Sequence, residues 1–436
     1  MEENEIYDYN TQKVSYTPEA GEQEQKKALR RAKNKGILIG ALATTFICLI
    51  LCLVFLLIDS FYYGGGLRKT ADSGDGFALS EEADDKIALI GDLVKDYFYL
   101  DEVTDSQLEE GIYKGMIESL GDIYSEYYTA EELTALMQDT EGVYYGIGAY
   151  VSMDTVTTLP KIASVIAGAP AETADLRPDD IIYAVDGTET YGMELEEVVS
   201  MIKGPEGTEV VLTIVRSGER DYLEVPVVRA KVESPTVKYE MLDDEKGYIA
   251  ISEFDDVTAD QFADALATLK GNDMKGLIID LRANPGGNLD TVVRIAKMIL
   301  PEGIIVYTED KAGNRVDYKC DGTKELDVPL VVLVDGNSAS ASEILAGAIK
   351  DYEKGTLVGT TTYGKGIVQQ IVPLSDGSAV KITVSAYYTP NGVNIHGTGI
   401  EPDVEIDFDS EAYYDSEDPV DNQLEKAKEV LAGYIK

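Results

Sequence analysis

The chain has 436 residues, enough for two to four domains, and its 44% of hydrophobic residues is ordinary for a globular protein with real cores. A formal net charge of −43 indicates a solvated acidic surface and makes nucleic acid a poor candidate partner. Three cysteines exclude a disulfide framework or a thiolate metal cluster, and a single histidine excludes a multi-histidine metal site, so we expect no metal and no cofactor.

The first 58 residues have the pattern of a membrane anchor. Residues 1–36 predict a disordered cytoplasmic tail, which carries a cluster of Lys and Arg side chains between residues 26 and 35. Residues 37–58 contain no charged side chain and would span about 33 Å as a helix. Because the positive flank comes first, we predict a single-pass anchor in the cell membrane, with the N-terminus cytoplasmic and the rest extracytoplasmic. The alternative, a cleaved signal peptide, requires a small-x-small site, which residues 60–63 do not offer.

A linker and then helices are predicted between the anchor and residue 141. Residues 59–80 contain two glycine-rich runs, which is typical of a flexible linker. Residues 81–141 repeat apolar side chains at helical spacing, for example at Ile87, Ile90 and Val94. We interpret this second region as helices that pack together.

Residues 142–230 change to short strands and turns. Their sequence includes a helix from Leu195 to Ile202 and the turns Tyr145-Gly146-Ile147-Gly148, Gly168-Ala169-Pro170-Ala171 and Gly204-Pro205-Glu206-Gly207. This order resembles a PDZ domain of the bacterial protease type. In that family a Gly-apolar-Gly loop, here Gly146, Ile147 and Gly148, binds the terminal carboxylate of a peptide through backbone N–H groups. The peptide then adds as a strand beside the loop.

Two further features of the PDZ-like segment concern peptide binding. On its helix, Leu195, Val198 and Val199 are expected to supply an apolar pocket for a side chain of the peptide. Arg177 has two interpretations, either a sensor of peptide binding or a residue of a surface turn.

Strands and helices alternate from residue 231 to residue 409, which is typical of an α/β domain. The predicted strands are Gly247–Ile251, Gly276–Leu281, Leu330–Val334, Thr356–Gly359 and Val380–Ala386, and the predicted helices are Thr258–Lys270 and Asn288–Leu300. Residues 410–436 form an acidic tail that ends in a predicted helix, Asn422–Ile435.

The stretch from Pro329 to Leu345 has the residues of a nucleophile site. A buried strand is followed by a tight turn, by serines at alternate positions and by the start of a helix. A serine at that point would lie on a rigid edge beside free backbone N–H groups, which suit a developing oxyanion. The alternative is a capping box from Ser340 to Glu343, which requires no chemistry.

Four motifs in this order resemble the carboxyl-terminal processing peptidases, the tail-specific serine proteases of family S41. They are DLRANPGG at 280–287, NSASASEILAGA at 337–348, TTYGKGIVQ at 361–369 and HGTGIEPDV at 396–404. The resemblance implies that Ser340 is the nucleophile and Lys365 the base of a serine–lysine dyad. It matches the glutamine of the family to Gln369.

The implied chemistry does not require a histidine. A lysine can take the proton of a serine hydroxyl only when it is neutral, and burial favours the neutral form. Gln369 can orient the amine without adding charge. The expected oxyanion donors are the backbone N–H groups of Ala341 and of Gly286 or Gly287.

Other residues of the motifs are assigned supporting roles. His396 falls in a family segment that is not catalytic. Ser338 and Ser342 are interpreted as structural residues. Arg282 and Asn284 are expected to support the glycine turn.

The resemblance also implies an architecture and an activity. The expected fold is a multidomain α/β protein with a crotonase-like and ClpP-like core, an inserted PDZ domain and helices used in homodimerisation. The expected activity is a membrane-anchored, extracytoplasmic serine endopeptidase that recognises polypeptides with free C-termini and forms an acyl-enzyme. A PDZ scaffold that binds peptides without hydrolysis is one alternative, and an acyl-hydrolase on a crotonase-like core is another.

Overall fold

A computed structural model of the protein describes residues 77–414 and 419–435. The predicted cytoplasmic tail and anchor, and most of the predicted linker, lie outside the described residues. Within the described ranges, no helix is both long enough and apolar enough to cross a membrane. The described residues divide into two units between Asp96 and Tyr97, and the second unit holds every feature discussed below except the helix that begins at Glu81.

The region before the PDZ-like segment contains helices and one short strand. Its elements are α1 (Glu81–Tyr97), α2 (Asp105–Glu118), β1 (Glu126–Tyr128) and α3 (Ala130–Glu141). α3 begins with a capping box, in which the side chains of Thr129 and Glu132 each accept the backbone N–H group of the other residue. The helix ends at Gly142, which has the left-handed conformation with φ 64°. The prediction of helices throughout 81–141 was wrong at residues 126–128, where two tyrosines favour a strand.

The PDZ-like segment is a small β domain with its own core. Its elements are β2 (Val143–Gly146), β3 (Ala149–Met153), β4 (Pro160–Val165), α4 (Pro170–Thr173), β5 (Ile181–Val185), β6 (Thr188–Glu189), α5 (Leu195–Ile202), β7 (Glu209–Val215), β8 (Leu223–Val228) and β9 (Ala230–Glu233). The main sheet has the order β3-β4-β5-β7-β8. β2 and β9 pair antiparallel, with Val143 opposite Glu233, so the chain enters and leaves the domain at one place.

The remaining elements form the α/β core and its C-terminal helices. They are β10 (Val237–Leu242), β11 (Lys246–Ile251), α6 (Thr258–Gly271), β12 (Gly276–Asp280), α7 (Leu289–Ala296), β13 (Gly303–Asp310), β14 (Arg315–Cys320), β15 (Leu330–Val334), α8 (Ala341–Asp351), β16 (Thr356–Gly359), β17 (Ile367–Pro373), β18 (Ala379–Tyr388), β19 (Val404–Glu405), α9 (Ser410–Tyr414) and α10 (Asn422–Tyr434). The mixed α/β class is therefore confirmed. The predicted helix Asn288–Leu300 was too long, because the chain continues in turns after Ala296.

Two sheets organise this core. The core sheet has the order β10-β11-β12-β15-β16-β19, and its strands from β11 onward are parallel. The second sheet has the antiparallel order β1-β18-β13-β14, with β17 paired to β18. β12 and β15 are buried along their whole length, as expected for parallel strands covered on both faces.

Helices cover both faces of the core sheet. Side chains from α6, α7 and α8 form the larger apolar cluster on one face. On the other face, Ala427 and Leu431 of α10 pack against Ile278, Val331 and Val358. Full burial of a side chain such as Leu431 contributes roughly 1.5–3 kcal/mol, so α10 is part of the core.

A buried ion-pair cluster fixes α10 to the end of β12. Arg282 Nη2 lies 2.6 Å from an Asp280 oxygen and 2.8 Å from an Asp421 oxygen, with all three side chains largely buried. Tyr248 donates its hydroxyl hydrogen to Asp280 at 2.8 Å. Arg282 therefore supports the strand end and the C-terminal helix.

Arg282→Met should destabilise the protein strongly. The substitution leaves Asp280 and Asp421 buried without a cation, and breaking such a pair costs about 3 kcal/mol or more. Lys426→Met is the control, because Lys426 pairs with the exposed Glu429 on the same helix and should contribute less than about 1 kcal/mol. Denaturant unfolding monitored by circular dichroism measures both changes, and equal midpoints for the two variants would contradict the prediction.

Candidate active site

Two sequence motifs meet at the carboxyl ends of neighbouring strands. β12 and β15 are parallel, with Asp280 opposite Leu333. The segments that leave them, residues 281–287 and 335–340, therefore run side by side. Ligands of open α/β sheets bind at this kind of edge.

Ser340 occupies the sharp turn into α8. Its φ of 54° and ψ of −112° are uncommon for a residue with a side chain. A Cβ placed on Gly286, which has φ 108°, would lie 2.7 Å from Ser340 Cβ, so this close approach requires glycine. Ser340 is therefore held against the glycine turn, at the positive end of a helix of 11 residues.

The serines on either side of Ser340 are structural, as predicted. Ser338 is fully buried and donates its hydroxyl hydrogen to the Leu281 carbonyl at 2.8 Å. Ser342 is also fully buried and donates to the Asn284 carbonyl at 3.0 Å. Asn284 in turn donates to the Ile251 carbonyl at 2.8 Å, so it supports the glycine turn from inside the protein.

A single buried carboxylate, that of Glu343, connects the serine turn to the lysine loop. Its Oε2 accepts the N–H groups of Ser340 and Lys365, both at 2.9 Å. Its Oε1 accepts the Gly364 N–H at 2.7 Å and the Thr362 hydroxyl at 2.6 Å. Glu343 is 0% exposed, so these bonds form in a site of low dielectric constant. The two predicted catalytic residues are thereby positioned by the same side chain.

Lys365 is half-buried and lies beside an aromatic ring. Its Nζ is 4.6 Å from the centroid of the Tyr124 ring and donates no hydrogen bond within the described residues. Burial lowers the pKa of Lys365 below its usual value of 10.5, and the Lys381 ammonium lowers it further. Asp122 and Glu343 act in the opposite direction. The net effect favours the neutral amine that a general base requires.

Gln369 is held by a hydrogen-bond network rather than by the lysine. Its Nε2 donates to Thr383 Oγ1 at 3.1 Å, and that hydroxyl donates to Asp122 at 2.7 Å. Asp122 also accepts the Ser125 hydroxyl at 2.6 Å and the Tyr124 N–H at 3.1 Å. The segment before β1 therefore reaches the base and its neighbouring glutamine.

The structure distinguishes between the two glycines proposed as oxyanion donors. The Gly286 N–H donates to Asn284 Oδ1 at 2.8 Å and is already used. The N–H groups of Gly287 and Ala341 have no acceptor among the described residues. Of the two glycines, only Gly287 therefore has a backbone N–H group available as an oxyanion donor beside that of Ala341.

These groups share one cleft of about 440 Å³. Its lining includes Ser340, Ala341, Lys365, Gln369 and Gly287. Gly286 is not among the lining residues. The cleft is large enough for several side chains of an extended polypeptide and is open to solvent.

The Gly146–Gly148 loop of the PDZ-like domain has the geometry expected of it only in part. The N–H groups of Ile147 and Gly148 have no acceptor among the described residues, as a carboxylate site requires. Gly148 has φ 77°, and a Cβ there would lie 2.2 Å from the Ala169 Cβ, so glycine is required. Val198 is 0% exposed and packs in the same core as Ile147, so its predicted place in an open pocket was wrong.

The remaining candidates lie outside the cleft. His396 is exposed, and its backbone N–H packs against Gly366, where a Cβ would lie 2.6 Å away. Arg177 is exposed and pairs with Asp175 at 2.6 Å, which agrees with its interpretation as a surface-turn residue.

Sequence reasoning missed three parts of the site. Glu343 was interpreted only as a helix cap, although the cap itself signalled that its carboxylate turns back toward Ser340. Asp122 and Tyr124 were assigned to packing helices, and nothing local in the sequence indicates their place near Lys365. Only the pairing of β1 with β18 brings them there.

Comparisons with protein families give two matches. Peptidase family S41 matches residues 245–406, which include the cleft residues from Glu253 onward. A PDZ domain matches residues 161–216. The two ranges correspond to the α/β core and to most of the small β domain.

Curated relatives match over most of the chain. The chain is 36% identical over 325 residues to the carboxyl-terminal-processing protease of Synechocystis sp., covering 73% of this chain and 76% of the relative. It is 35% identical over 367 residues to the carboxy-terminal processing protease CtpA of Bacillus subtilis, covering 83% of this chain and 77% of that relative. The solved structure of a photosystem II D1 C-terminal processing protease is 32% identical in sequence and aligns with a TM-score of 0.44. The alignment covers 73% of this chain and 86% of the chain in that structure.

Glu343→Gln should destabilise the site and separate its two loops. A glutamine keeps one oxygen, so two of the four donors that face Glu343 lose their acceptor and the free energy of unfolding should fall by about 3 kcal/mol. Hydrogen exchange at the Ser340 and Lys365 amides should also become faster. Glu353→Gln, at an exposed carboxylate just after α8, is the matched control and should change stability by less than about 0.5 kcal/mol. Unchanged exchange at both amides would contradict this role of Glu343.

Proposed function

Because the chain belongs to the carboxyl-terminal processing proteases of peptidase family S41, which are serine-type proteases, we propose that Ser340 is its nucleophile and Lys365 its general base. The observation that carries this proposal is the buried Glu343 carboxylate, which accepts the backbone N–H groups of both residues. Both side chains also line one cleft. The depressed pKa of Lys365 supports its role as the base.

The first half of the reaction forms an acyl-enzyme. Neutral Lys365 takes the proton of Ser340 Oγ as that oxygen attacks the scissile carbonyl carbon. The N–H groups of Ala341 and Gly287 stabilise the negative charge on the carbonyl oxygen, and a donor of this kind contributes on the order of 3 kcal/mol. The Lys365 ammonium then gives the proton to the departing amine, and an ester on Ser340 remains.

The second half releases the peptide acid. Lys365, neutral again, takes a proton from a water molecule that attacks the ester carbon. Collapse of the tetrahedral intermediate breaks the bond to Ser340 Oγ, which recovers its proton from Lys365. In this structure the Lys365 amine lies over the Tyr124 ring, so the proposed proton transfer requires the amine to move toward Ser340 Oγ. Gln369, which is fixed through Thr383, is assigned the role of orienting the amine after this movement, without adding a charge.

Substrate recognition through a free C-terminus is assigned to the PDZ domain. The N–H groups of Ile147 and Gly148, which have no acceptor in the described part of the chain, suit a terminal carboxylate. β3 is the edge strand of its sheet, which suits an added strand. Docking either opens the cleft or raises the local concentration of the substrate. We favour opening, since binding energy can then be used to admit only chains with accessible ends.

The proposed setting is the outer face of the cell membrane. The apolar run 37–58, preceded by the basic cluster, supports a single-pass anchor with residues after 59 outside the cytoplasm. A homodimer formed through the helices of residues 81–141 is the proposed assembly. This arrangement keeps the cleft near the C-termini of extracytoplasmic proteins.

Ser340→Ala and Lys365→Ala should each abolish hydrolysis and leave the fold intact, because the nucleophile and the base act as a unit. Ser338→Ala and Ser342→Ala are the controls and should keep measurable turnover. His396→Gln should also remain active. Steady-state hydrolysis of an unstructured polypeptide measures all five, and an active Ser340→Ala enzyme would show that the nucleophile is assigned incorrectly.

Amidation of a substrate's C-terminus should lower kcat/KM by about tenfold or more, because the carboxylate loses its charged hydrogen bonds to the PDZ loop. An enzyme lacking Gly142 to Arg229 distinguishes the two versions of docking. If docking opens the cleft, the truncated enzyme should cleave free and amidated peptides at equal rates. If docking only raises the local concentration of the substrate, the truncated enzyme should cleave both peptides more weakly than the intact enzyme does. Equal rates of the intact enzyme on both peptides would contradict PDZ recognition.

Protease added to intact cells should degrade the domains after residue 59. The mature protein should retain residues 1–58, since the apolar run is an anchor rather than a cleaved signal. N-terminal sequencing of the membrane fraction tests this directly. A mature N-terminus near residue 64, or a shielded protease domain, would contradict the proposed topology.

A further inference from the structure

One wall of the cleft carries three carboxylates that the mechanism does not use. Asp139 lies in the last turn of α3, and Glu253 and Asp255 lie in the loop after β11. Phe254, between the last two, donates its N–H to the Gly286 carbonyl at 2.8 Å. This acidic wall, defined as Asp139, Glu253 and Asp255, therefore lies beside the glycine turn of the proposed oxyanion site.

Asp255 is the unusual member of the acidic wall. It is only 6% exposed, and its carboxylate makes no hydrogen bond and no ion pair within the described residues. A Cβ on Gly142 would lie 2.9 Å from Asp255 Oδ2, so the carboxylate packs at the C-terminal end of α3, where the helix dipole is negative. Burial raises the pKa of Asp255 to about 7, and the charges of Glu253, Asp256 and Asp139 contribute.

A largely buried carboxylate without a cationic partner lowers the stability of a fold. The Asp255 oxygens are not among the fully buried unpaired atoms of the described residues, so they open into the cleft, where a cation could reach them. The lysines of the cleft do not serve as that partner. Lys381 pairs with Glu126 at 3.4 Å, and Lys365 lies over the Tyr124 ring. No group of three acidic, histidine or cysteine side chains in the described part of the chain is arranged to hold a metal ion. A cationic group of the substrate has the charge and the reach to contact these carboxylates.

We propose that the acidic wall is a specificity subsite for a Lys or Arg side chain of the substrate, close to the scissile bond. The inference rests on the proposed protease function and adds a substrate class to it. Asp255 supplies a buried anionic acceptor for charge-assisted hydrogen bonds. Asp139 and Glu253 are exposed and attract the approaching cation over a longer range. Salt screens this long-range attraction.

The test compares unstructured peptides in which one position at a time holds Lys or its uncharged analogue norleucine. At one position near the cleavage site, the full-length enzyme should prefer Lys by about tenfold to a hundredfold in kcat/KM, as expected for a hydrogen bond to a charged group. Asp255→Asn should reduce that preference to about twofold or less. Asp264→Asn, which removes an exposed charge on α6, is the matched control and should leave it unchanged.

A second variant keeps the test decisive if Asp255→Asn does not fold. The double variant Asp139→Asn, Glu253→Gln changes only exposed side chains, and should lower the Lys preference several-fold at low salt and less at high salt.

The ratio of Lys to norleucine rates should also rise between pH 6 and pH 8, because Asp255 becomes charged over that range. Titration of Lys365 cancels in this ratio, since it affects both peptides equally.

The outcomes separate the subsite from the protease function. Hydrolysis of norleucine peptides with no Lys preference at any position would overturn the subsite and leave the protease proposal intact. A Lys preference that survives Asp255→Asn and the double variant would also overturn it. If no peptide is hydrolysed, the protease proposal fails, and equal binding of both peptides to Ser340→Ala protein would then overturn the subsite as well.

Discussion

The Glu343 carboxylate accepts four hydrogen bonds from two loops while it is completely buried. A buried anion without a paired cation is costly, and here backbone and hydroxyl donors offset that cost. The same bonds position the turn that carries Ser340 and the loop that carries Lys365. The relative placement of nucleophile and base therefore depends on one side chain that performs no chemistry itself.

The charge balance around Lys365 follows from this arrangement. Burial and Lys381 disfavour its ammonium form, whereas Glu343 and Asp122 favour it. Both carboxylates are already occupied by hydrogen bonds from other groups, so neither forms an ion pair with the lysine. The lysine can thus remain near carboxylates that organise the site and still lose its proton more easily than a free lysine does.

The sequence was sufficient for the parts of the protein that short motifs and periodicity encode. The strand Leu330–Val334 begins and ends where predicted, because a buried parallel strand is a continuous apolar run. It was insufficient where distant segments meet. The contribution of Asp122 and Tyr124 depends on β1 pairing with β18, more than 250 residues later, and the occupied Gly286 N–H depends on the rotamer of Asn284. Val198 matched the PDZ pattern but packs inward, since helical spacing alone does not give its orientation.

The most direct test of the account is the rate at which a serine-directed phosphonate modifies the protein as a function of pH, followed by peptide mapping. Labelling should occur at Ser340 alone, and its rate should rise with pH through one ionisation whose pKa lies below the 10.5 of an ordinary lysine. Lys365→Ala should remove that ionisation and slow the labelling. Modification of another serine, or a pH profile that is the same with and without Lys365, would contradict a Ser340–Lys365 dyad.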